Sequence, residues 1–115
     1  MRKICRVDIE RSGEILERIE KYKKEVVKRL NPSRIILFGS FARGDVNEGS
    51  DVDLIVIADW KEGFLDRIKL LLDTNSFNLP LEPIGYTEGE FERMAEDKNP
   101  FILNALEEGK IIYER

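Results

Sequence analysis

The chain has no histidine and a single cysteine, Cys5. The first absence removes Ser-His-Asp and Cys-His catalysis, and with them every histidine metal site. The second removes an internal disulfide and any cysteine-cluster zinc site. No apolar run is long enough to cross a membrane. The basic start, Met1-Arg2-Lys3-Ile4-Cys5, is not followed by the apolar region of a signal peptide, so the expected location is the cytoplasm. A basic excess is missing too. The net charge is −4 and the pI about 5.0, which argues against long RNA or DNA as a substrate. Glutamine is absent among many Lys and Glu, a weak thermophile signature. What remains for chemistry is carboxylates, hydroxyls, Lys and Arg, backbone amides, or a hard metal ion.

What is present suits one domain spanning 1–115. Hydrophobic residues make up 42% and charged residues 37%, enough for a real but small core. Ile15, Ile19, Tyr22, Val26 and Leu30 recur at helical spacing and predict a helix over about 8–30, capped by Asp8 or Ser12 and ended by Asn31-Pro32. Its charged face reads as solvated surface. A first strand is expected at Ile35–Phe38, a short helical turn at Phe41–Gly44, and a second strand at Asp51–Ala58. Asp59 is a candidate cap for a helix whose apolar positions are Phe64, Leu65, Ile68, Leu71 and Leu72. Leu79–Tyr86 reads as a third strand. Pro80 and Pro83 push it to an edge or into a bulge. Thr87 to Glu90 match a capping box, followed by a helix with Phe91, Met94 and Ala95 inward. Asn99-Pro100 starts another helix, with Ile102, Leu103, Ala105 and Leu106 apolar and Gly109 as its stop. Ile111–Tyr113 make a last strand. There is no internal repeat, linker or low-complexity segment. The alternation predicts an α/β (α+β) domain with a small mixed sheet flanked by helices.

The chemistry concentrates between Ile35 and Ile57. An apolar run ends at Gly39-Ser40, and a second apolar run is preceded by Asp51 and Asp53. Alternate strand residues share a face, so the two acids project together. Paired carboxylates at the start of an apolar strand repel each other and are costly at a core edge, and a bound divalent cation removes both problems. A P-loop is excluded, because Asp45 and Val46 stand where Lys and Ser/Thr are needed. A calcium loop is excluded as well, with Ser50 in the glycine position and Val56 in the glutamate position. A metal-assisted phosphate site fits better. Gly39 permits close backbone approach, Ser40 and Arg43 offer donors to phosphate oxygens, and Asp51 and Asp53 can hold Mg²⁺. The plainer alternatives are turn chemistry for the two Asp, and a surface pair of Arg43 with Asp45 or Glu48.

Gly39-Ser40-Phe41-Ala42-Arg43-Gly44 followed by Ser50-Asp51-Val52-Asp53-Leu54 resembles the signature of the nucleotidyltransferase superfamily related to DNA polymerase β. The likeness is greatest to its minimal prokaryotic (MNT) members and extends over roughly residues 34 to 113. It implies the polymerase β-like nucleotidyltransferase fold and a third carboxylate on a later strand, where Glu82 stands. Many relatives carry Asp there, although some aminoglycoside-modifying relatives use Glu, and Pro83 beside it can re-aim the side chain. The plainer alternative for Glu82 is an exposed edge-strand charge.

The resemblance also implies a mechanism. Two Mg²⁺ ions would be held by Asp51, Asp53 and Glu82. ATP or another NTP would have its β- and γ-phosphates on Gly39, Ser40 and Arg43. A nucleoside monophosphate, AMP in the simplest case, would pass to a hydroxyl acceptor. Larger relatives carry a further acceptor-binding domain. Minimal ones are typically paired with a HEPN-domain toxin as its antitoxin, and some modify a toxin tyrosine. The alternative from another class is a non-catalytic antitoxin that neutralises such a partner by covering it.

Overall fold

The computed structural model describes residues 2–39, 42 and 51–115, with side chains from 13 onward. Helix α1 spans Arg2–Leu30, six residues longer at its start than the sequence predicts. No proline interrupts Arg2 to Gly13, so neither Asp8 nor Ser12 has to cap it. It ends as expected: Asn31 takes a left-handed φ of 48°, its N–H reaches the Val27 carbonyl, and Pro32 is fully buried.

Strands β1 (Arg34–Phe38) and β2 (Val52–Ile57) pair antiparallel. Helix α2 (Phe64–Asp73) leads to β3 (Leu81–Tyr86), which runs parallel to β2. Then come α3 (Glu88–Glu96), α4 (Pro100–Glu108) and β4 (Lys110–Glu114). The sheet order is β3-β2-β1-β4, so the proline-bearing strand does lie at an edge. The expected mixed sheet is present, with helices on both faces.

Strand periodicity sorts the core. Val52, Leu54 and Val56 face one way with Ile35 and Leu37, and pack under Ile19, Tyr22 and Val26 of α1 and Leu71 of α2. Each of these fully buried aliphatics contributes about 1.5–3 kcal/mol. The Tyr22 hydroxyl lies in this core, where burial pushes its pKa up and it donates to the Leu71 carbonyl at 2.7 Å. On the other face, Ile36, Ile55 and Ile57 meet Phe91 of α3 and Ile102 and Ala105 of α4.

The capping box forms as read. Glu90 N–H donates to Thr87 Oγ1 at 3.1 Å, and Thr87 N–H to Glu90 Oε1 at 2.8 Å. Asn99 caps α4 through the N–H groups of Phe101 and Ile102. Two local expectations change, both in α2, and the stop at Gly109 stands. The cap position of α2 is Gly63, not Asp59, because the helix starts one turn later than an Asp59 cap requires. Gly109 ends α4 with extended φ of −76°; its need for glycine is space, since a Cβ there would overlap the Ala105 carbonyl and approach Ile36 Cγ2 to 2.9 Å. Finally, α2 buries Arg67 and Leu71 while Phe64, Leu65 and Leu72 stay exposed.

Arg67 explains that rotation. Its Nε donates to the Glu62 carbonyl at 2.7 Å. Its Nη1 reaches the outward Gly85 carbonyl of edge strand β3 and Glu90 Oε1 at 2.6 Å. One guanidinium therefore covers a sheet edge and ties α2 to α3. The same contact holds the Glu90 carboxyl below its usual range, with help from the Thr87 backbone. Among the described residues no helix is long and apolar enough to cross a membrane.

Candidate active site

Asp53 shares the sheet face of Ile55 and Ile57 and is half-buried. Its place follows from register. Phe38 of β1 stands directly opposite it, and Glu82 of β3 stands directly beside it. Neighbouring strands lie about 4.8 Å apart, so a long-range parallel pairing makes neighbours of two acids 29 positions apart in sequence. Phe38 is braced by an edge-to-face contact with Phe101 at 5.3 Å, giving the acids an apolar wall on the β1 side. Asp51 immediately precedes β2 on the same face and is exposed, as is Glu82.

Gly39 closes the site from the β1 side. Its φ is +76°, a region L side chains rarely adopt, and its carbonyl accepts from the Ala42 N–H at 3.1 Å. A Cβ at this position would overlap Asp53 Oδ2 and come within 3.2 Å of its Cγ. The bare backbone of Gly39 is thus what makes room for the Asp53 carboxylate. The expected helical turn at Phe41–Gly44 and the candidate phosphate ligands Ser40 and Arg43 lie outside the described residues, apart from Ala42, which is helical and buried.

Among the described residues, no group of three acidic side chains already converges to hold an ion. The donor set nevertheless suits one. Asp53 and Glu82 are adjacent, and the exposed Asp51 and Glu82 have rotamer freedom to turn inward. All the donors are hard carboxylate oxygens, the type Mg²⁺ takes. Glu82 sits where its neighbour on β2 is Asp53, while Pro83 beside it pairs with Leu54 and is buried on the opposite face. Strand alternation therefore presents Glu82 on the face of Asp53.

Sequence reading missed three things near the site. The contact of Gly39 with Asp53 is tertiary. The role of Phe38 as a wall depends on α4. The Arg67–Glu90 pair leaves only a trace in sequence, a cation amid the apolar positions of α2. Among the described residues, cavities also lie away from the acids. One of about 340 Å³ is lined by Ser33, Asp59, Glu88 and Arg115 among others. Another, of about 240 Å³, is lined by Phe64, Tyr86, Glu90, Arg93 and Met94.

A mixed sheet sandwiched by helices, with acids on adjacent strands beside a glycine turn, is the architecture of a nucleotidyltransferase domain. Comparison with known proteins agrees. Residues 19–113 match the family model of the nucleotidyltransferase domain, and the chain belongs to that family. A "putative protein adenylyltransferase" of Methanocaldococcus jannaschii is 34% identical over 102 residues, covering 82% of this chain and 97% of the relative. A second protein of that name from the same organism is 40% identical over 99 residues, covering 86% and 94%. The crystal structure of a "putative nucleotidyltransferase" from Sulfolobus solfataricus superposes with a TM-score of 0.69 at 21% identity, covering 94% of this chain and 87% of the other. That likeness establishes the fold.

Proposed function

We propose that this chain is a Mg²⁺-dependent protein adenylyltransferase. It transfers AMP from ATP to a hydroxyl of a partner protein, a tyrosine of a HEPN-domain toxin, and acts as its antitoxin. The observation that carries the reading is the adjacency of Asp53 and Glu82 across β2 and β3, with Gly39 bare against Asp53. The relatives named as protein adenylyltransferases support protein as the acceptor class.

Asp51, Asp53 and Glu82 would hold Mg²⁺, which when bound neutralises phosphate charge and makes an acceptor hydroxyl easier to deprotonate. Asp53 is the fixed member, packed between Gly39 and β3, while Asp51 and Glu82 close on it from solvent. The Gly39 backbone approaches the phosphates where a side chain would block them. By residue type, Ser40 and Arg43 donate to the β- and γ-phosphate oxygens. Glu82 is also the base nearest to Asp53, and accepts the proton of the acceptor hydroxyl as it attacks the α-phosphorus. Pyrophosphate leaves on the opposite side. The rate gain lies in positioning and charge stabilisation.

The test uses Asp51→Asn and Asp53→Asn. Each should lower AMP transfer at least ~100-fold, with an unfolding curve close to that of the parent. Peptide mapping of the modified partner should find AMP on a tyrosine. Unchanged turnover in either variant would sink the metal assignment. Intact neutralisation of the toxin by both variants would instead mark the chain as a binding module.

A further inference from the structure

The 240 Å³ cavity between α2 and α3 has no part in the chemistry above. Tyr86 and Phe64 form its aromatic floor, with ring centroids 6.0 Å apart, and Met94 adds an adaptable apolar wall. Phe64 is 46% exposed, and next to it Leu65 is 77% exposed, both on α2. The volume is below the roughly 300–1,000 Å³ of small-molecule sites, and suits one side chain better than a nucleotide.

The rim carries one acid and one base, Glu90 and Arg93. The Glu90 carboxylate is held by Arg67 and by the Thr87 N–H. Arg93 is exposed and forms no ion pair among the described residues. A carboxylate beside an apolar anchor would meet that guanidinium, whereas a cation there would meet it unfavourably.

Position matters as well. Tyr86 and Glu82 lie on the same face of β3, four residues apart, a span of roughly 13 Å. We infer that this cavity docks the acceptor protein. It takes an apolar or aromatic side chain flanked by an acidic residue, anchored roughly 13 Å from the hydroxyl presented at Asp53 and Glu82. This rests on the reading that the acceptor is a protein. Binding at the cavity is nevertheless measured without ATP or metal, so failure here and failure of catalysis are separate results.

The experiment is an amide chemical-shift titration of the labelled protein with end-blocked Gly-Gly-Phe-Glu-Gly-Gly at millimolar concentration. Shifts should concentrate at Phe64, Tyr86, Arg93 and Met94. Affinity should fall at least ~10-fold when the peptide Phe becomes Ala or its Glu becomes Lys. Arg93→Glu should reverse the preference toward the Lys peptide. If that variant lacks a native spectrum, Arg93→Ala should remove the Glu-over-Lys preference. Equal binding of the Glu and Lys peptides, shifts centred elsewhere, or no shifts at all would overturn the inference.

Discussion

Replacing Gly39 by alanine puts a methyl group where the Asp53 carboxylate now packs. Two costs can be separated. The backbone φ of +76° is unfavourable for any L side chain, at about 1–2 kcal/mol. The new Cβ would also overlap Asp53 Oδ2 and crowd Cγ at 3.2 Å, so the carboxylate must move by roughly 1 Å. A misplacement of that size typically costs about 100-fold in rate. The expected outcome for Gly39→Ala is a loss of about 1–3 kcal/mol in urea unfolding and about a 100-fold drop in transfer of label from α-labelled ATP. A double-mutant cycle with Asp53→Ala isolates the contact. In that background Gly39→Ala should cost only the backbone strain, leaving a coupling energy of about 1 kcal/mol. Activity within about tenfold of the parent, or additive stabilities, would refute the claim that the bare Gly39 backbone makes room for the acid.

Gly85→Ala would drive a Cβ to 2.8 Å from the Trp60 ring, which lies over β3 and is held by its own Nε1 bond to the Val56 carbonyl. A loss of about 1–3 kcal/mol is expected in urea unfolding, and an unchanged midpoint would contradict the packing described. Glu90→Gln keeps a capping side chain but removes the charge facing Arg67. The folded Glu90 carboxyl is held below its ordinary 4.5, so between the folded and unfolded values the unfolded state binds more protons. The parent should therefore exceed the variant in stability near neutrality, and the gap should close as pH falls from 4.5 through the lower folded value. A gap that stays constant into acid would show that the ion pair contributes nothing.

The sequence carried the fold well where its signals were local. The capping box at Thr87, the Asn99 cap before Pro100, and the edge placement of a strand holding Pro83 all follow from short-range chemistry. The acids were legible as types and as a pair on one face of β2. That Glu82 neighbours Asp53 was not derivable from local pattern, because it depends on a parallel register between strands separated by a helix. The resemblance pointed to Glu82, and the register puts it beside Asp53. Helix α2 misled for a related reason. Its five apolar positions predict an inward face, yet Arg67 wins a buried place by satisfying the free edge of β3, which no helical periodicity reveals. Gly109 was legible as a stop, while tertiary crowding by Ile36 and Ala105 is what requires glycine there.

The proposed activity is transfer of AMP to a partner protein. It is tested most directly by incubating the chain with Mg²⁺, a HEPN-domain partner, and ATP labelled at either the α- or the γ-phosphate. Covalent label is expected on the partner from the α position only, lost with Asp51→Asn and Asp53→Asn. Label from the γ position, or no label on a partner that still binds tightly, would contradict it.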